Sequence, residues 1–275
     1  MENGVIYCAM GDAYIDQVIV SASGLKKHNP DLKVALFSDK EVSHKNIDIN
    51  IDILANHEAR RVYKALKESD RLPSMKLMIL HRSPFEKTLS LDSDTYVRGD
   101  ISYIFDKLDE YDLLFTPSEI CQWTERENSW RYDVTKFLAF SDEQQINAGV
   151  IAYKDVKLVR NFFEHLIKTI TPILNSVDNY LEKFNDQELI NFYLYHYKAN
   201  PDVKDHLEGI NWSSTVLDNK IYNATDRMWP ALQKEGTWKD VKILHTGLVH
   251  YLKELHEGRR KYSKLTDHKY FDTFR

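Results

Sequence analysis

Two aspartates separated by one residue, Asp92 and Asp94, directly follow an apolar run that is typical of a buried strand. In extended backbone, residues two positions apart point to the same side, so we expect the two carboxylates to converge. Converging carboxylates repel each other unless a proton or a cation lies between them. The expected cation is Mg²⁺ or Mn²⁺, since these hard ions prefer oxygen ligands and usually also bind a phosphate. The spacing therefore indicates metal-assisted phosphate chemistry, with a polar loop after a buried strand as the alternative.

Three further segments carry side chains that suit such a site. Gly11 follows the first apolar run and allows a ligand to approach the backbone, and Tyr14 could stack on a nucleobase. The alternative there is a glycine turn, a helix cap at Asp12 and a core tyrosine. Asp186 stands in an Asn-Asp-Gln run that opens a helix, where it could also be the N-cap. His245 follows a late strand, and beside two carboxylates it is a candidate third metal ligand that shifts the preference towards Mn²⁺.

The first half of the chain alternates strand and helix patterns. Strand patterns cover 5–10, 32–37, 47–53 and the run that ends at Asp92, and helical patterns cover 12–28, 57–69 and 74–82. This order predicts an α/β fold whose mostly parallel central sheet is flanked by helices on both faces. Because ligands bind beyond the carboxyl ends of such strands, Gly11, Asp39 and Asp92 are expected to share one crevice.

The second half of the chain has a more mixed pattern. Short strands are predicted over 113–116 and 241–244, a longer strand over 145–153, and helices over 155–172 and 185–198. Gly149 lies inside the longer strand, where a glycine often marks a close approach of another group to the backbone. The polar stretch 117–130 is predicted to be a mobile loop beside the site.

Composition excludes several other classes of protein. The chain has 275 residues, 43% of them hydrophobic and 29% charged, which fits a soluble protein of one large domain or two closely merged ones, with an ample core. A net charge of −5 gives no basic surface for nucleic acid, and two cysteines imply no disulfide framework. The sequence has neither a membrane-spanning apolar stretch nor a signal-peptide pattern at its start, so a cytoplasmic enzyme is expected. The Asn223-Ala224-Thr225 glycosylation pattern is then interpreted as a chance match.

Taken in order, these segments resemble glycosyltransferase family 8, the group that contains glycogenin and bacterial lipo-oligosaccharide galactosyltransferases. The similar segments are 12–14 with 27–28, 74–77, 91–97 with 100–105, 146–153, 185–191 and 243–247. They span about residues 5 to 250 in the order of the family. The resemblance implies one GT-A glycosyltransferase domain: a nucleotide-binding half to about residue 110, an acceptor and donor-sugar half over 111–250, and a tail over 251–275 that could close over the donor.

The resemblance also implies a reaction, the transfer of a sugar from a UDP-sugar to a glycan or other hydroxyl acceptor with retention of configuration. Asp92, Asp94 and His245 would bind Mn²⁺ or Mg²⁺, which would bridge the donor diphosphate and act as a Lewis acid. Asp186 and Gln187 would lie near the anomeric carbon as the catalytic residues. A homodimer is compatible with this interpretation. The donor pocket would be formed by Ala9, Met10, Gly11, Asp12, Tyr14, Asp39, Lys76, Ser93, Asn147, Gly247 and Lys253.

The sequence departs from the family after the late histidine. The family usually shows Gly-x-x-Lys-Pro-Trp there, whereas this chain has its glycine one position early and no Lys-Pro-Trp run. Lys253, Arg259 or Arg260 could replace the missing lysine at the diphosphate. The departure leaves an inverting GT-A enzyme as an alternative, in which Asp186 or Glu119 would be the carboxylate base.

Two other functions use similar patterns. A phosphatase of the haloacid dehalogenase type also has an Asp-x-Asp after a strand. That type needs Thr or Val where Tyr96 stands here, and a later Gly-Asp-x-x-x-Asp run that is absent. A binding protein that holds a sugar nucleotide without turning it over would carry the same metal site. Turnover of a UDP-sugar with Mn²⁺ would distinguish both alternatives from a transferase.

Overall fold

Two β-sheets organise the computed structural model, which describes residues 2–68, 72–118, 146–155, 159–161, 164–166, 168, 186–187, 190–191, 214–225 and 228–246. The strands are β1 (Asn3–Ala9), β2 (Lys33–Ser38), β3 (Ile49–Asp52), β4 (Lys87–Leu91), β5 (Thr95–Val97), β6 (Leu113–Pro117), β7 (Ile146–Lys154), β8 (Ser214–Val216), β9 (Ala224–Thr225) and β10 (Ile243–His245). The α-helices with defined bounds are α1 (Asp12–His28), α2 (His57–Glu68), α3 (Ser102–Glu110), α4 (Asn219–Tyr222) and α5 (Trp229–Lys234). Short 3₁₀ helices cover Ile53–Ala55, Leu72–Met78, Leu80–Arg82 and Trp238–Asp240.

The larger sheet has the strand order β3-β2-β1-β4-β7-β6-β8. Strand β7 runs antiparallel to both of its neighbours, and every other adjacent pair is parallel. The predicted α/β fold with a mostly parallel central sheet is therefore confirmed. The smaller sheet has the order β5-β10-β9, and the chain enters it directly after β4.

The central strands are buried on both faces, as expected for parallel strands that helices cover on each side. Alternate side chains therefore pack into two separate cores: Ile6 and Phe37 lie in one, and Tyr7 and Leu36 lie in the other. Helix α1 closes the second core with apolar residues such as Val18. Each fully buried large apolar side chain contributes roughly 1.5–3 kcal/mol to folding. Because many such side chains pack on both faces of the sheet, the strands and their ends are held in fixed positions.

Helix α1 has the bounds that the sequence predicts, but its cap differs. Gly11 is the N-cap residue and Asp12 is already the first helical residue, so no side chain caps the helix. Asp12 instead forms an ion pair with Lys40, which follows β2. The prediction that Asp12 caps α1 is wrong because the turn after β1 needs the left-handed conformation of Gly11 and so shifts the cap by one residue.

The predicted helix over 74–82 is also wrong in type, since the chain forms two 3₁₀ segments there. Met75, Lys76, Leu77, Met78 and Ile79 are all buried. A segment without a solvent-exposed face cannot keep the one-sided pattern of a surface α-helix, and its tertiary contacts decide its conformation.

The sequence patterns missed strands β5, β8 and β9, which have two or three residues each. Strands this short carry no readable alternation, and their pairing with distant strands defines them. The predicted loop over 117–130 begins one residue early, because Pro117 is the last residue of β6, and its residues from 119 onwards lie outside the described residues. The same holds for most of the predicted helices over 155–172 and 185–198 and for the tail over 251–275. Across the described part of the chain, none of the helices has the length and apolar character needed to cross a bilayer.

Candidate active site

The carboxyl ends of β1, β2 and β4 lie side by side because these strands are parallel neighbours. Gly11 follows β1 and donates its backbone N–H to Oδ1 of Asp39, which follows β2, at 3.0 Å. Tyr63 of α2 donates its hydroxyl to Oδ2 of Asp39 at 3.3 Å. Gly11 has a φ of 83°, a conformation in which a side chain would be strained. Two of the predicted site residues are thus joined directly beyond the strand ends.

Asp92 and Asp94 lie in a turn between β4 and β5. Thr95 closes this turn by donating its backbone N–H and its hydroxyl to the carbonyl oxygen of Asp92, at 3.1 and 2.7 Å. Strand β5 then pairs antiparallel with β10, so that Thr95 lies opposite His245. The two carboxylates converge as predicted, but the predicted reason is wrong. The turn and the β5–β10 pairing bring the acids together, not an extended backbone.

His245 lies against both acids. Its Nε2 is 3.2 Å from Oδ1 of Asp94 and 3.8 Å from Oδ2 of Asp92. One candidate ligand atom from each of the three residues lies within 4.8 Å of the others. Burial alone would lower the pKa of His245, but Asp94 and Asp92 outweigh this effect and raise that pKa to about 9. Burial likewise opposes the charged form of Asp94, and His245 nevertheless lowers the pKa of Asp94.

This cluster fits a divalent metal ion. Two carboxylates and an imidazole are a donor set that Mn²⁺ accepts, and carboxylates suit Mg²⁺ as well. The imidazole can approach the acids because residue 149 is a glycine: a β-carbon there would lie 2.6 Å from Nδ1 of His245. Asp92, Asp94 and His245 are therefore the residues that could hold a metal ion.

Lys76 is buried beside Asp92, and its ammonium group is surrounded by oxygen atoms of the protein. Its Nζ lies 2.5 Å from Oδ1 of Asp92 and 3.7 Å from Oδ2 of Asp186, and it also donates to the carbonyl of Ala148. Burial opposes the charged form, but Asp92 and Asp186 outweigh it and raise the pKa of Lys76. One ammonium group thus links the candidate catalytic acid Asp186 to the candidate metal ligand Asp92.

A cavity of about 230 Å³ lies beside the acid pair. Tyr14 is 45% exposed, so its ring is available to a planar ligand. Ser93 donates its hydroxyl hydrogen to Oε1 of Gln17 at 2.7 Å, which fixes the Ser93 oxygen at the cavity wall. The cavity brings together residues from separate parts of the chain: Cys8, Met10, Tyr14, Gln17, Lys76, Asp92, Ser93, Asp94 and Asp186.

A bulge in β7 interrupts its ladder with β6, because the register shifts between Phe115 and Thr116. Asn191 binds the start of β7 at Ile146, which pairs with Pro117 beyond the bulge. Its Oδ1 accepts the N–H of Ile146 at 2.8 Å, and its Nδ2 donates to the carbonyl of Ile146 at 2.9 Å. Buried backbone groups need such partners, so Asn191 stabilises the end of the strand next to the bulge.

Two predicted site residues support the strand next to this bulge and do not line the cavity. Oε1 of Gln187 accepts the N–H of Ala148 at 3.3 Å. Asn147 folds back along its own strand and accepts the N–H of Gly149 at 2.8 Å. Both side chains therefore shape the backbone that carries the carbonyl contacting Lys76.

The remaining predicted residues have other positions. Ala9 is buried in the core below the cavity, and Asp12 points to Lys40 at an exposed position. Gly11 and Asp39 bind each other as described above. Glu119, Gly247, Lys253, Arg259 and Arg260 lie outside the described residues.

Sequence reasoning missed three residues of this region. Gln17 lies one helical turn after Tyr14, so the period of α1 could have placed it on the same face. Cys8 lies in the apolar run of β1, which indicates a core residue, but it also lines the cavity, where burial raises the pKa of its thiol to about 12. Asn223 had been noticed only in a glycosylation pattern. Its side chain is buried, and both of its polar atoms have hydrogen-bond partners, which excludes modification in the folded protein.

No protein-family model matches this sequence, and no curated protein matches it. Solved structures do match. The galactosyltransferase LgtC, solved with donor and acceptor sugar analogues, is 16% identical with a TM-score of 0.52, over 89% of this chain and 87% of LgtC. Mouse xyloside xylosyltransferase 1 is 12% identical with a TM-score of 0.53, over 90% of this chain and 98% of that protein. The bifunctional glycosyltransferase WbbM is 14% identical with a TM-score of 0.55, over 89% of this chain and 45% of WbbM.

These similarities show that the chain has the fold of the GT-A glycosyltransferases. The fold class predicted from the sequence is confirmed, as is the resemblance to these enzymes at the level of the fold. Within that fold, this chain is similar to galactosyl- and xylosyltransferases at low sequence identity.

Proposed function

We propose that this protein is a metal-dependent glycosyltransferase that takes a sugar from a UDP-sugar and transfers it to a hydroxyl group of a glycan acceptor. The observation that carries the proposal is the cluster of Asp92, Asp94 and His245, which adjoins a cavity beyond the carboxyl ends of the central strands. The fold supports it, because LgtC has a similar fold and was solved with donor and acceptor sugar analogues.

The chemistry follows from the charges of the site. A bound Mn²⁺ or Mg²⁺ supplies Lewis-acid stabilisation of the negative charge that collects on the departing diphosphate. Asp92 and Asp94 would hold the ion through carboxylate oxygens, and His245 would hold it through an imidazole nitrogen. Lys76 fixes the Asp92 carboxylate through the 2.5 Å contact of its ammonium group, and it adds a positive charge that is already in place when the bond breaks.

The donor occupies the cavity with its base towards α1. Tyr14 stacks on the uracil with its exposed ring. Ser93, held by Gln17, presents its hydroxyl oxygen to the ribose or the sugar. The linked Gly11 and Asp39 close the end of the crevice at the base.

Asp186 is the proposed catalytic residue of a retaining transfer. Its carboxylate lines the cavity, and Nζ of Lys76 orients it from 3.7 Å. Positive charge develops at the anomeric carbon as the glycosyl–phosphate bond breaks, and a fixed carboxylate stabilises that charge. Gln187 acts indirectly. Its side chain accepts the backbone N–H of Ala148, and the carbonyl of Ala148 accepts a hydrogen bond from Lys76.

The test is turnover of a panel of UDP-, GDP- and TDP-sugars with Mn²⁺, measured as release of the nucleoside diphosphate with and without glycan acceptors. We expect hydrolysis or transfer with UDP-sugars that Asp94→Asn abolishes. Asp186→Asn should reduce turnover about 100-fold while Mn²⁺-dependent UDP binding persists. Asp112→Asn is the matched control, since Asp112 pairs with Lys154 away from the cavity.

Each alternative predicts a different result. Mn²⁺-dependent UDP binding without turnover of any donor would make the protein a sugar-nucleotide-binding protein. Hydrolysis of small phosphomonoesters would favour the phosphatase, for which the fold gives no support. Inversion at the anomeric carbon of the product, determined by NMR, would replace the retaining mechanism by the inverting one and would make Asp186 a base.

A further inference from the structure

Asn223 is buried where α4 passes into β9. Its Oδ1 lies 2.9 Å from Nδ1 of His245, and its Nδ2 donates to Oγ1 of Thr116 at 2.7 Å. Strand β9 runs parallel to β10, with Thr225 beside His245. The backbone pairing of two strands therefore holds the amide of Asn223 against the imidazole ring, on the side away from the two acids.

We propose that Asn223 is a positioning residue of the metal site. It keeps a proton on Nδ1 of His245 and so presents the lone pair of Nε2 to an ion held by Asp92 and Asp94. This inference rests on the proposed function and extends the site to a residue that does not touch the ion.

The hydrogen-bond inventory of the two side chains gives the reason. A neutral imidazole carries its proton on either nitrogen, and the partner of each nitrogen decides which one. An amide oxygen can only accept, so Oδ1 of Asn223 favours the form with the proton on Nδ1. A flipped amide would offer an N–H to Nδ1 and favour the proton on Nε2, where it blocks a metal ion. In this structure Oδ1 of Asn223 faces Nδ1, and the buried hydroxyl of Thr116 binds the amide nitrogen at the other end, which anchors the side chain against the ring.

Gly149 restrains the imidazole ring of His245 through close van der Waals packing. A β-carbon at this position would lie 2.6 Å from Nδ1 of His245, so the backbone of β7 packs directly on the imidazole. The ring therefore cannot turn away from the acids without breaking its bond to Asn223. Metal-binding histidines commonly depend on such an outer hydrogen bond, and losing it typically weakens metal affinity about 10- to 100-fold.

The experiment measures the affinity of the full chain for Mn²⁺ alone, from the electron paramagnetic resonance signal of the unbound ion. Mg²⁺ affinity is measured by competition. We expect Asn223→Leu to weaken Mn²⁺ binding about 10- to 100-fold. Mg²⁺ affinity should fall less, since Mg²⁺ depends mainly on the carboxylates. The ratio of Mn²⁺ affinity to Mg²⁺ affinity should therefore decrease. Asn223→Asp keeps an oxygen acceptor at Nδ1 and should bind Mn²⁺ at least as tightly as the unmodified protein.

Two further variants keep the test decisive. Thr116→Val removes the hydroxyl that anchors the amide of Asn223, so it should also weaken Mn²⁺ binding, and it serves if Asn223→Leu does not fold. Asn29→Leu is the matched control. Asn29 is a buried asparagine that bonds Gly99 and Ile101 away from the site, and its loss should cost stability without changing Mn²⁺ affinity.

The proposal is overturned if Asn223→Leu binds Mn²⁺ as tightly as the unmodified protein. If Asn223→Leu does not fold, the same result in Thr116→Val overturns it. It is also overturned if Asn223→Leu and Asn223→Asp weaken Mn²⁺ binding equally. His245→Ala separates this failure from failure of the proposed function. If His245→Ala binds Mn²⁺ as tightly as the unmodified protein, the metal site itself is wrong. If it binds weakly while Asn223→Leu binds normally, only the role of Asn223 is wrong.

Discussion

Gly149 of β7 packs directly against the ring of His245 of β10, so closely that a β-carbon on residue 149 would lie 2.6 Å from Nδ1. The same glycine accepts the backbone N–H of Asp92 through its carbonyl at 3.0 Å. One residue without a side chain therefore contacts two candidate metal ligands that are far apart in the sequence. These two contacts determine the relative positions of the His245 imidazole and the backbone of Asp92.

Gly149→Ala tests this contact. The added methyl group must displace the imidazole, and we expect a loss of stability of about 2 kcal/mol, typical of overpacking. Mn²⁺ affinity should fall about tenfold or more, because His245 moves out of position. Urea unfolding and Mn²⁺ titration measure the two effects. In the His245→Ala background the same substitution should cost less stability, because the ring is gone and the Asn147 amide oxygen, 2.9 Å from the added β-carbon, remains. An equal cost in both backgrounds would show that the methyl group clashes with something other than the ring.

Lys76→Met removes the ammonium group between Asp92 and Asp186. We expect the metal-free protein to lose about 3 kcal/mol of stability, because two partly buried carboxylates and a carbonyl lose their partner. Mn²⁺ should then raise the melting temperature more than it does in the unmodified protein, since the ion replaces the missing positive charge beside Asp92. Lys87→Met is the control: Lys87 is another buried lysine, bonded to Phe105 and Asp109. Equal Mn²⁺-induced shifts in all three proteins would contradict this role of Lys76.

Asn191→Ala should destabilise the start of β7. The substitution leaves the N–H and the carbonyl of Ile146 without their side-chain partner, and we expect a loss of about 3 kcal/mol. The rate of amide hydrogen exchange at Ile146 should rise by the factor that corresponds to this loss. Asn46→Ala, which removes a bond to the Ser23 hydroxyl, should cost about 1 kcal/mol. If both variants lose the same stability, Asn191 has no special role at the start of β7.

The raised pKa of His245 predicts a pH dependence of the metal-free protein. The folded-state value of about 9 lies above the ordinary value of 6.5, so the charged ring stabilises the fold fully below pH 6.5. This stabilisation is lost as the pH rises through 9. Urea unfolding in the presence of a chelator should show the decline between pH 6.5 and 9, and His245→Gln should flatten it. A decline of the same size in His245→Gln would assign it to other groups.

The sequence by itself determined the local features of this protein. The bounds of α1, the strand that ends before Asp92 and the late strand that ends at His245 follow from patterns of apolar residues, which depend on the period of the local backbone. These patterns also predicted the α/β class and the shared crevice of Gly11 and Asp39.

The sequence suggested that Asp92, Asp94 and His245 form one cluster, but only the tertiary structure decided how they meet and which other groups join them. The β5–β10 pairing brings Asp94 to His245 across about half of the chain, and the parallel β9–β10 pair brings Asn223 to the same ring. Burial on all sides turned the segment around Lys76 into 3₁₀ structure and directed its ammonium group to Asp92. Strands β5 and β9, which pair with β10, have only two or three residues, and their own patterns carry no signal. Their register is fixed by packing between strands, which no local period encodes.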